Sequence, residues 1–548
     1  MNPEQVELKD AEPREAEAAA AAAPVAAAPV PADTDATEAD VSEADLDQEE
    51  QEKLPMTGGG GGGGGDPAEN ATSTGEEAEK NGAVKLKIPE DEEETKYNGL
   101  NKEELLRVAG TPGWVRTRWA LLVVFWLGWL GMLAGAVLII LRAPQCKDLP
   151  AISWWNKGPL YQIGSVQAFT GGRDLKALEQ KVSSLAELKV KGLVVGPIHV
   201  APSDDAVSLR FEEISPEVGT PGQFKDLIRA AHRKSLSVVL DLTPNYQGSS
   251  GPWFSNVSIT NVAERLKSAL VFWLKEGVDG VQLSAVDQVA ALVPSLWADI
   301  RAIIQNGTEK RVLIGVTDQD NAEEVSALLS DSGVDLLVSR VLRRHPPDAT
   351  EHAQTIQLLY SSHNQTTLAW SLGGRDAGHL ASLVGPDLVR LYQLLLLTLP
   401  GTPIINYGDE IGLMDEGTTF PMMLWDLESN GTLQEAAERL SCRQFFSSQS
   451  ELRGKERSLL FGDFFLLHNS SSSLAYLRVW DQSKRYVAAF NWAEEAAVLR
   501  LSSKLLPQQA VVAASTNSSL LAVDATVNLK HLQLGPKQAA VLMFPYTG

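Results

Sequence analysis

The chain has 548 residues, 44% of them hydrophobic and 21% charged, enough for a large folded domain with accessory segments. Its formal net charge of -23 at pH 7 argues against nucleic acid as a partner, because an acidic surface repels phosphate.

Most of that negative charge sits in residues 1–100, which are rich in Asp, Glu, Ala and Pro and are interrupted by the run Gly58 to Gly65. Such a stretch buries too little apolar surface to offset its chain entropy, so it is expected to be a disordered acidic tail. Residues 101–118 form the next segment. Within it, Asn101 to Gly110 reads as a short amphipathic helix with Asn101 as cap, Glu104 three residues on and a terminating glycine. It is either a solvated connector or a docking element, and the sequence does not choose.

From Trp119 to Leu141 the sequence WALLVVFWLGWLGMLAGAVLIIL carries no charge. At about 1.5 Å per residue a helix of this length crosses a bilayer core of roughly 30 Å. A buried core helix would rarely lack every polar group over such a length, and a signal peptide would lie nearer the N-terminus. Gly131 and Gly135 form a small-xxx-small pair that would let a second helix approach closely, although glycine is common in membrane spans without that role.

Lys102, Arg107, Arg116 and Arg118 precede the span, whereas Arg142, Lys147 and Lys157 follow it, a slight bias toward a cytoplasmic N-terminus. Asn-x-Ser/Thr triplets begin at Asn256, Asn306, Asn364, Asn430, Asn469 and Asn517, all after the span; a further one at Asn70 in the acidic tail reads as chance. Together these cues predict a type II single-pass protein with its C-terminal part outside the cell.

Residues 142–158 read as a stalk containing Cys146, five residues beyond Leu141 and in an oxidising compartment. A stalk cysteine can be a free thiol, a palmitoylation site, half of a homodimer, half of a bridge to another membrane protein, or the partner of the other cysteine, Cys442. Cys442 is expected as a buried thiol in a linker.

Residues 159–454 alternate strand-type and helical runs. Strands are expected at Leu160 to Val166, Gly192 to Ile198, Ser237 to Leu242, Gly280 to Leu283, Val312 to Val316, Asp335 to Ser339, Thr367 to Trp370 and Pro403 to Tyr407. Helical segments lie between most of them, for example Phe224 to Lys234, Ile259 to Lys275 and Leu388 to Leu397. Eight such units predict an α/β fold of the (β/α)8 TIM-barrel type. Residues 455–548 turn strand-rich, as in Ser473 to Val479, Arg485 to Asn491 and Ala539 to Phe544, and predict an antiparallel β-sandwich.

Three segments carry a family resemblance. Asp241-Leu242-Thr243-Pro244-Asn245-Tyr246 resembles the strand-three signature of the α-amylase family, and Gly277-Val278-Asp279-Gly280 resembles its strand-four lead-in. The long segment Thr398 to Gly412 is similar to strand eight of the α-glucosidase branch. The departures fall on catalytic positions. Tyr246 stands for the strand-three histidine, Gln282 and Ser284 stand for the strand-four arginine and nucleophilic aspartate, and Val316 occupies the strand-five end with no carboxylate before Asp318. In Gly374-Arg375-Asp376 only Asp376 matches the strand-seven triplet.

Retaining hydrolysis requires two carboxyl groups about 5 to 5.5 Å apart, and a serine at 284 needs a base of its own. Asp241, Asn245 and Asp376 are therefore expected to brace the barrel mouth, against the alternative of a surface α-glucosidase using Asp241 or Asp318. Only about thirty residues separate Tyr246 from Gly277, so the inserted B domain of the glucosidases is missing and the pocket should stand open.

The combination of acidic tail, single span, stalk cysteine and altered glucosidase-like barrel resembles the heavy chains of heteromeric amino-acid transporters. Gly113 to Ala120, the span and Leu399 to Leu413 carry that likeness. The resemblance implies a non-catalytic subunit without cofactor that forms a disulfide through Cys146 to a multi-pass light chain and brings it to the plasma membrane. Large neutral amino acids, cystine exchanged for glutamate, or dibasic amino acids would be transported according to that light chain. It also implies integrin β subunits as partners, which leaves an adhesion or signalling receptor as a further alternative.

Overall fold

The computed structural model describes residues 99, 101–143, 146–254, 257–343, 348–425 and 432–547. The expected disordered tail lies outside these residues except for Gly99. The chain divides into two units, Met1–Val115 and Arg116–Gly548.

In the first unit, helix α1 covers Lys102–Ala109. The Asn101 side chain accepts from Lys102 N at 2.8 Å, and Gly110 closes the helix in the right-handed region with φ -83°. Asn101 thus caps the first turn, and the terminating glycine does not use its left-handed freedom.

Helix α2 covers Pro112–Arg142 and is the single described helix long and apolar enough to cross a membrane. It starts seven residues before the expected Trp119. Pro112 sits in the first turn, where its missing N–H has no helical partner to lose, and nothing in Gly113 to Arg118 breaks the helix that follows.

The second unit is built on eight parallel strands: β1 Leu160–Ile163, β2 Gly192–Val195, β3 Ser237–Asp241, β4 Gly280–Ser284, β5 Val312–Val316, β6 Leu336–Val338, β7 Ala369–Trp370 and β8 Thr402–Asn406. Their order is β6-β5-β4-β3-β2-β1-β8-β7, and a parallel bridge between Leu337 and Leu368 closes the ring. Each expected strand run overlaps one of them, with β4 running one residue further to Ser284 and β8 starting one residue earlier at Thr402, and an α-amylase-type (β/α)8 barrel results. Alternate residues separate two cores. Leu160, Val194, Val239, Ile314, Leu336 and Ile404 fill the interior, whereas Tyr161, Leu193, Val238, Val281, Leu313 and Ile405 face the surrounding helices. Interior packing is tight enough that a Cβ on Gly280 would stand 2.3 Å from Val312 Cγ1.

The bottom of the barrel is closed by the incoming stalk. Trp155, 7% exposed, belongs to the interior cluster, and Asn156 donates to Thr366 O at 2.8 Å and to Thr402 Oγ1 at 3.1 Å. The mouth therefore lies at the opposite end of the barrel from the stalk.

Around the barrel, helices α3 Leu175–Glu187, α4 Pro221–Arg233, α5 Ile259–Lys275, α6 Pro294–Gln305, α7 Ala322–Asp331, α8 Ala349–Ser362 and α9 Val389–Thr398 form the outer layer. Helix α10, Leu433–Lys455, follows and opens with a capping box between Thr432 and Glu435. Cys442 corrects its expected place. It lies within α10, not in a linker, buried against α9 with Gln393 Nε2 at 3.4 Å from its Sγ.

Beyond α10 come β9 Asp463–Asn469, β10 Ser473–Val479, β11 Arg485–Asn491, β12 Ala497–Leu499, β13 Gln509–Ser515, β14 Thr526–Asn528, β15 Leu532–Leu534 and β16 Ala539–Phe544. Six form an antiparallel sheet in the order β9-β10-β11-β16-β13-β14, and β12 pairs with β15. One face of the sheet sends Leu474, Tyr476, Tyr486, Phe490 and Val541 into the core shared with the barrel. The other sends Leu477, Val487, Val512 and Leu542 against Leu499, Leu532 and Leu534 of the small ribbon. This period-two split makes a sandwich whose larger sheet is buried on both faces.

Candidate functional site at the barrel mouth and stalk

Interior-facing residues at the C-terminal ends of the strands, among them Gln162, Asp241, Gln282, Ser284 and Val316, line a cavity of about 330 Å³ together with Arg343 from the segment after β6. The pleat sets this. Positions 280, 282 and 284 of β4 share the inner face, so Gln282 and Ser284 point where chemistry would take place.

Asp241, 2% exposed, is fully engaged. Its Oδ1 accepts from Thr243 N at 2.9 Å and Thr243 Oγ1 at 2.6 Å; its Oδ2 accepts from Gln282 Nε2 at 2.9 Å and lies 3.4 Å from Arg375 Nη2. Arg375 also stands over the Tyr246 ring, 5.4 Å from its centroid, and Tyr246 donates its hydroxyl to His199 O at 2.7 Å. Burial raises the Tyr246 phenol, opposed by the Arg375 charge.

Asn245 donates to Asp204 Oδ1 at 2.8 Å and Ser250 O at 2.7 Å, which ties the loop after β3 to the loop after the short strand His199–Val200. The Asn245 amide, followed by the Ser250 donors, holds the exposed Asp204 carboxyl well below the usual carboxylate range. Asp376 sits exposed in a turn and makes no side-chain hydrogen bond or ion pair among the described residues, unlike Asp241 and Asn245. The Ser284 hydroxyl has no hydrogen-bond partner among the described residues; the residue's carbonyl accepts from Trp253 Nε1 at 3.2 Å. Val316 ends β5 with no acid, and Asp318 pairs with Arg340 at 2.5 Å.

The strand-eight acids do not reach the cavity. Asp409 accepts from Leu380 N at 2.8 Å, and Glu410 accepts from the Tyr161 hydroxyl at 2.9 Å. Burial raises both carboxyl groups. Asp279 of the strand-four motif is likewise structural, accepting from Val238 N at 2.7 Å.

At the stalk, Cys146 is exposed and Cys442 buried, and both are free, so the internal bridge is not formed. Burial pushes the Cys442 thiol up to about 11, leaving it inert. Beside Cys146, Lys147 N donates to Asp481 Oδ2 at 3.2 Å, Lys147 Nζ lies 3.7 Å from Asp463, and Gln482 Nε2 is 3.9 Å from the Cys146 sulfur. These contacts place the cysteine beside the turn between β10 and β11.

Of the sequons, Asn306, Asn364, Asn469 and Asn517 are exposed, while Asn256, Asn430 and Asn70 lie outside the described residues. On α2, beyond the helix's own backbone and adjoining residues, no atom of the described residues comes within 4 Å of a Cβ built at Gly131 or Gly135. Sequence reading did not single out Arg343, Trp155, Arg453 or Arg478. Their partners are remote in the chain and leave no local pattern.

Two family models match: "Solute carrier family 3 member 2 N-terminus" over residues 85–161 and "Alpha amylase, catalytic domain" over residues 168–261. The crystal structure of the trehalulose synthase MutB from Pseudomonas mesoacidophila superposes with a TM-score of 0.60 at 16% identity, covering 72% of this chain and 100% of that one, which supports the fold. The rat amino acid transporter heavy chain SLC3A1 is 24% identical over 591 residues, covering 80% of this chain and 85% of that protein. The rat amino acid transporter heavy chain SLC3A2 is 42% identical over 508 residues, covering 87% of this chain and 95% of that protein. The chain belongs to the SLC3A2 family of amino acid transporter heavy chains.

Proposed function

We propose that this protein is the non-catalytic heavy subunit of a heteromeric amino-acid transporter, a type II plasma-membrane protein disulfide-linked through Cys146 to a multi-pass light chain that it delivers and stabilises. The carrying observation is Cys146 itself, exposed four residues beyond the end of α2. Four residues of extended chain reach at most about 14 Å, which keeps the sulfur close to the membrane surface and to the loops of a neighbouring carrier. The exposed sequons support an extracellular location for the barrel. Absence of glucosidase turnover is part of the reading. Among the described residues no base bonds the Ser284 hydroxyl, Val316 stands at the acid/base position, and the carboxylates lining the mouth are bonded to guanidinium groups or exposed. Large neutral, cystine/glutamate or dibasic transport would then follow the light chain.

Co-expression with a multi-pass light chain tests the proposal. Cys146→Ser should abolish the high-mass band in non-reducing electrophoresis while detergent co-purification persists in part. An unchanged band sinks the Cys146 assignment, and full surface delivery of the light chain without this protein sinks the escort role.

A further inference from the structure

We infer that the barrel mouth binds a hydroxylated monocarboxylate of monosaccharide size, a sugar acid, with its carboxylate on Arg343. The heavy-chain role neither requires nor predicts such a site.

Three arginines line the cavity, and two are already neutralised: Arg340 by Asp318 at 2.5 Å and Arg375 by Asp241 at 3.4 Å. Arg343 forms no ion pair among the described residues. It is half-buried, its Nη2 donates to Gly373 O at 3.2 Å, and its buried Nε has no partner. A guanidinium carries five N–H donors in a planar fork, so most of its hydrogen-bonding capacity is uncommitted. Asp318, Asp376 and Asp409 act on its charge without bonding to it, so a bound anion would supply the direct hydrogen bonds that these carboxylates do not. Burial first, then the Arg340 charge, depresses its pKa to about 10, which leaves it protonated at neutral pH.

The rest of the lining favours hydroxyl groups. The Gln162 amide and Ser284 hydroxyl both line the cavity, and neither makes a side-chain hydrogen bond among the described residues. A Cβ on Gly374 would stand 3.4 Å from Arg343 Nη2 and 3.9 Å from Gln162 Oε1, so the glycine keeps open the gap where these two groups meet. The volume of about 330 Å³ lies at the small end of ligand pockets. Among the described residues Arg343 is the one lining guanidinium without an ion pair, and Asp376 is the one lining carboxylate without one, so a single negative charge is the most the site can take. A dianion would leave a charge uncompensated near Asp376, which also lines the cavity. With no base bonded to the Ser284 hydroxyl among the described residues, the site would hold its ligand without turning it over.

Calorimetric titration of the detergent-solubilised full chain provides the test. D-glucuronate should bind saturably and at least about tenfold more tightly than D-glucose. Arg343→Gln should weaken glucuronate about tenfold or more without lowering the melting temperature. Should Arg343→Gln fail to fold, Ser284→Asp places a repelling carboxylate in the same cavity and should cause the same loss. Methyl β-D-glucuronide distinguishes the sources: binding equal to the free acid marks the terminal residue of a glycan, and binding of the free acid alone marks a soluble metabolite. Equal affinity for glucose and glucuronate, no saturable glucuronate binding, or unaltered binding in Arg343→Gln or Ser284→Asp overturns the inference.

Discussion

Gln282 donates its amide to Asp241 Oδ2 across 2.9 Å. A carboxylate 2% exposed tolerates burial only while donors surround it, and here an amide supplies one of them from the neighbouring strand. The residue at 282 is thus explained by its bond to Asp241, whatever the chemistry of the mouth.

Gln282→Leu is therefore expected to destabilise the barrel by about 1 to 3 kcal/mol, the usual cost of a lost partner for a buried charged acceptor. Gln282→Glu should be worse at neutral pH and recover on acidification, because it sets two carboxylates against each other. Thermal melting of both variants checks this, and a Gln282→Leu protein that melts with the wild type removes Asp241 from the stabilising network.

Acid should weaken the fold through two buried histidines. His199, 0% exposed between Phe211 and Tyr246, is held by burial at a pKa of about 3, and His352 by burial at about 4. Their unfolded value is near 6.5, so below that pH the unfolded chain takes up protons that the folded chain refuses. The stability contribution is complete above about pH 6.5 and is lost progressively toward the folded values, on the order of 1.4 kcal/mol per histidine by pH 5.5. Asp409 and Glu410 act with opposite sign, since burial raises their pKa and acid favours their protonated folded forms. Comparing His199→Phe with wild type cancels that term. The variant should lose less melting temperature between pH 7.5 and 5.5, and parallel curves would count against a neutral buried His199.

How much of this was legible depends on the range of the interaction. Parallel barrel strands are buried on both faces and so appear as short apolar runs, which made all eight readable. The run Thr367 to Trp370 holds only the two-residue β7, because closure there rests on the single Leu337–Leu368 bridge. Ser284 and Val316 could be named because they sit in strand contexts with a recognisable neighbourhood. Arg343 could not, since its lack of an ion partner exists only after folding. Of the Cys442 expectation, the buried thiol held and the linker did not, because a 23-residue helix occupies that segment.

Arg453, 0% exposed on α10, donates Nη1 to Leu397 O at 2.7 Å and Leu399 O at 2.9 Å, and Nη2 to Gly401 O. Arg478 on β10 reaches Thr398 O at 2.6 Å, so two arginines clamp the segment leading into β8. Buried ion pairs can often be replaced by apolar groups at little cost, but here the partners are carbonyls that would be orphaned. Arg453→Met should cost about 3 kcal/mol or more, and Arg453→Lys should rescue little, because an ammonium cannot span the same fork. Hydrogen exchange across Thr402–Asn406 should speed up in both. Protection at the wild-type level would show that the clamp is dispensable.

Trp155 links the stalk to the stability of the barrel. Its side chain joins Leu160 and Ile404 in the interior cluster, and its carbonyl accepts from Thr402 Oγ1 at 3.1 Å. The salt bridge of Lys147 with Asp463 involves side chains 59% and 48% exposed, and such a pair contributes at most about 1 kcal/mol. Burial of a tryptophan is several times larger, and truncating one typically costs about 3 to 5 kcal/mol. The plug, more than the surface contacts, should therefore fix where the stalk emerges. In Trp155→Ala, trypsin should cut at Lys147 or Lys157 well before the barrel melts, whereas Trp155→Phe should stay largely resistant. Equal cleavage rates in all three proteins would mean that the surface contacts alone hold the stalk.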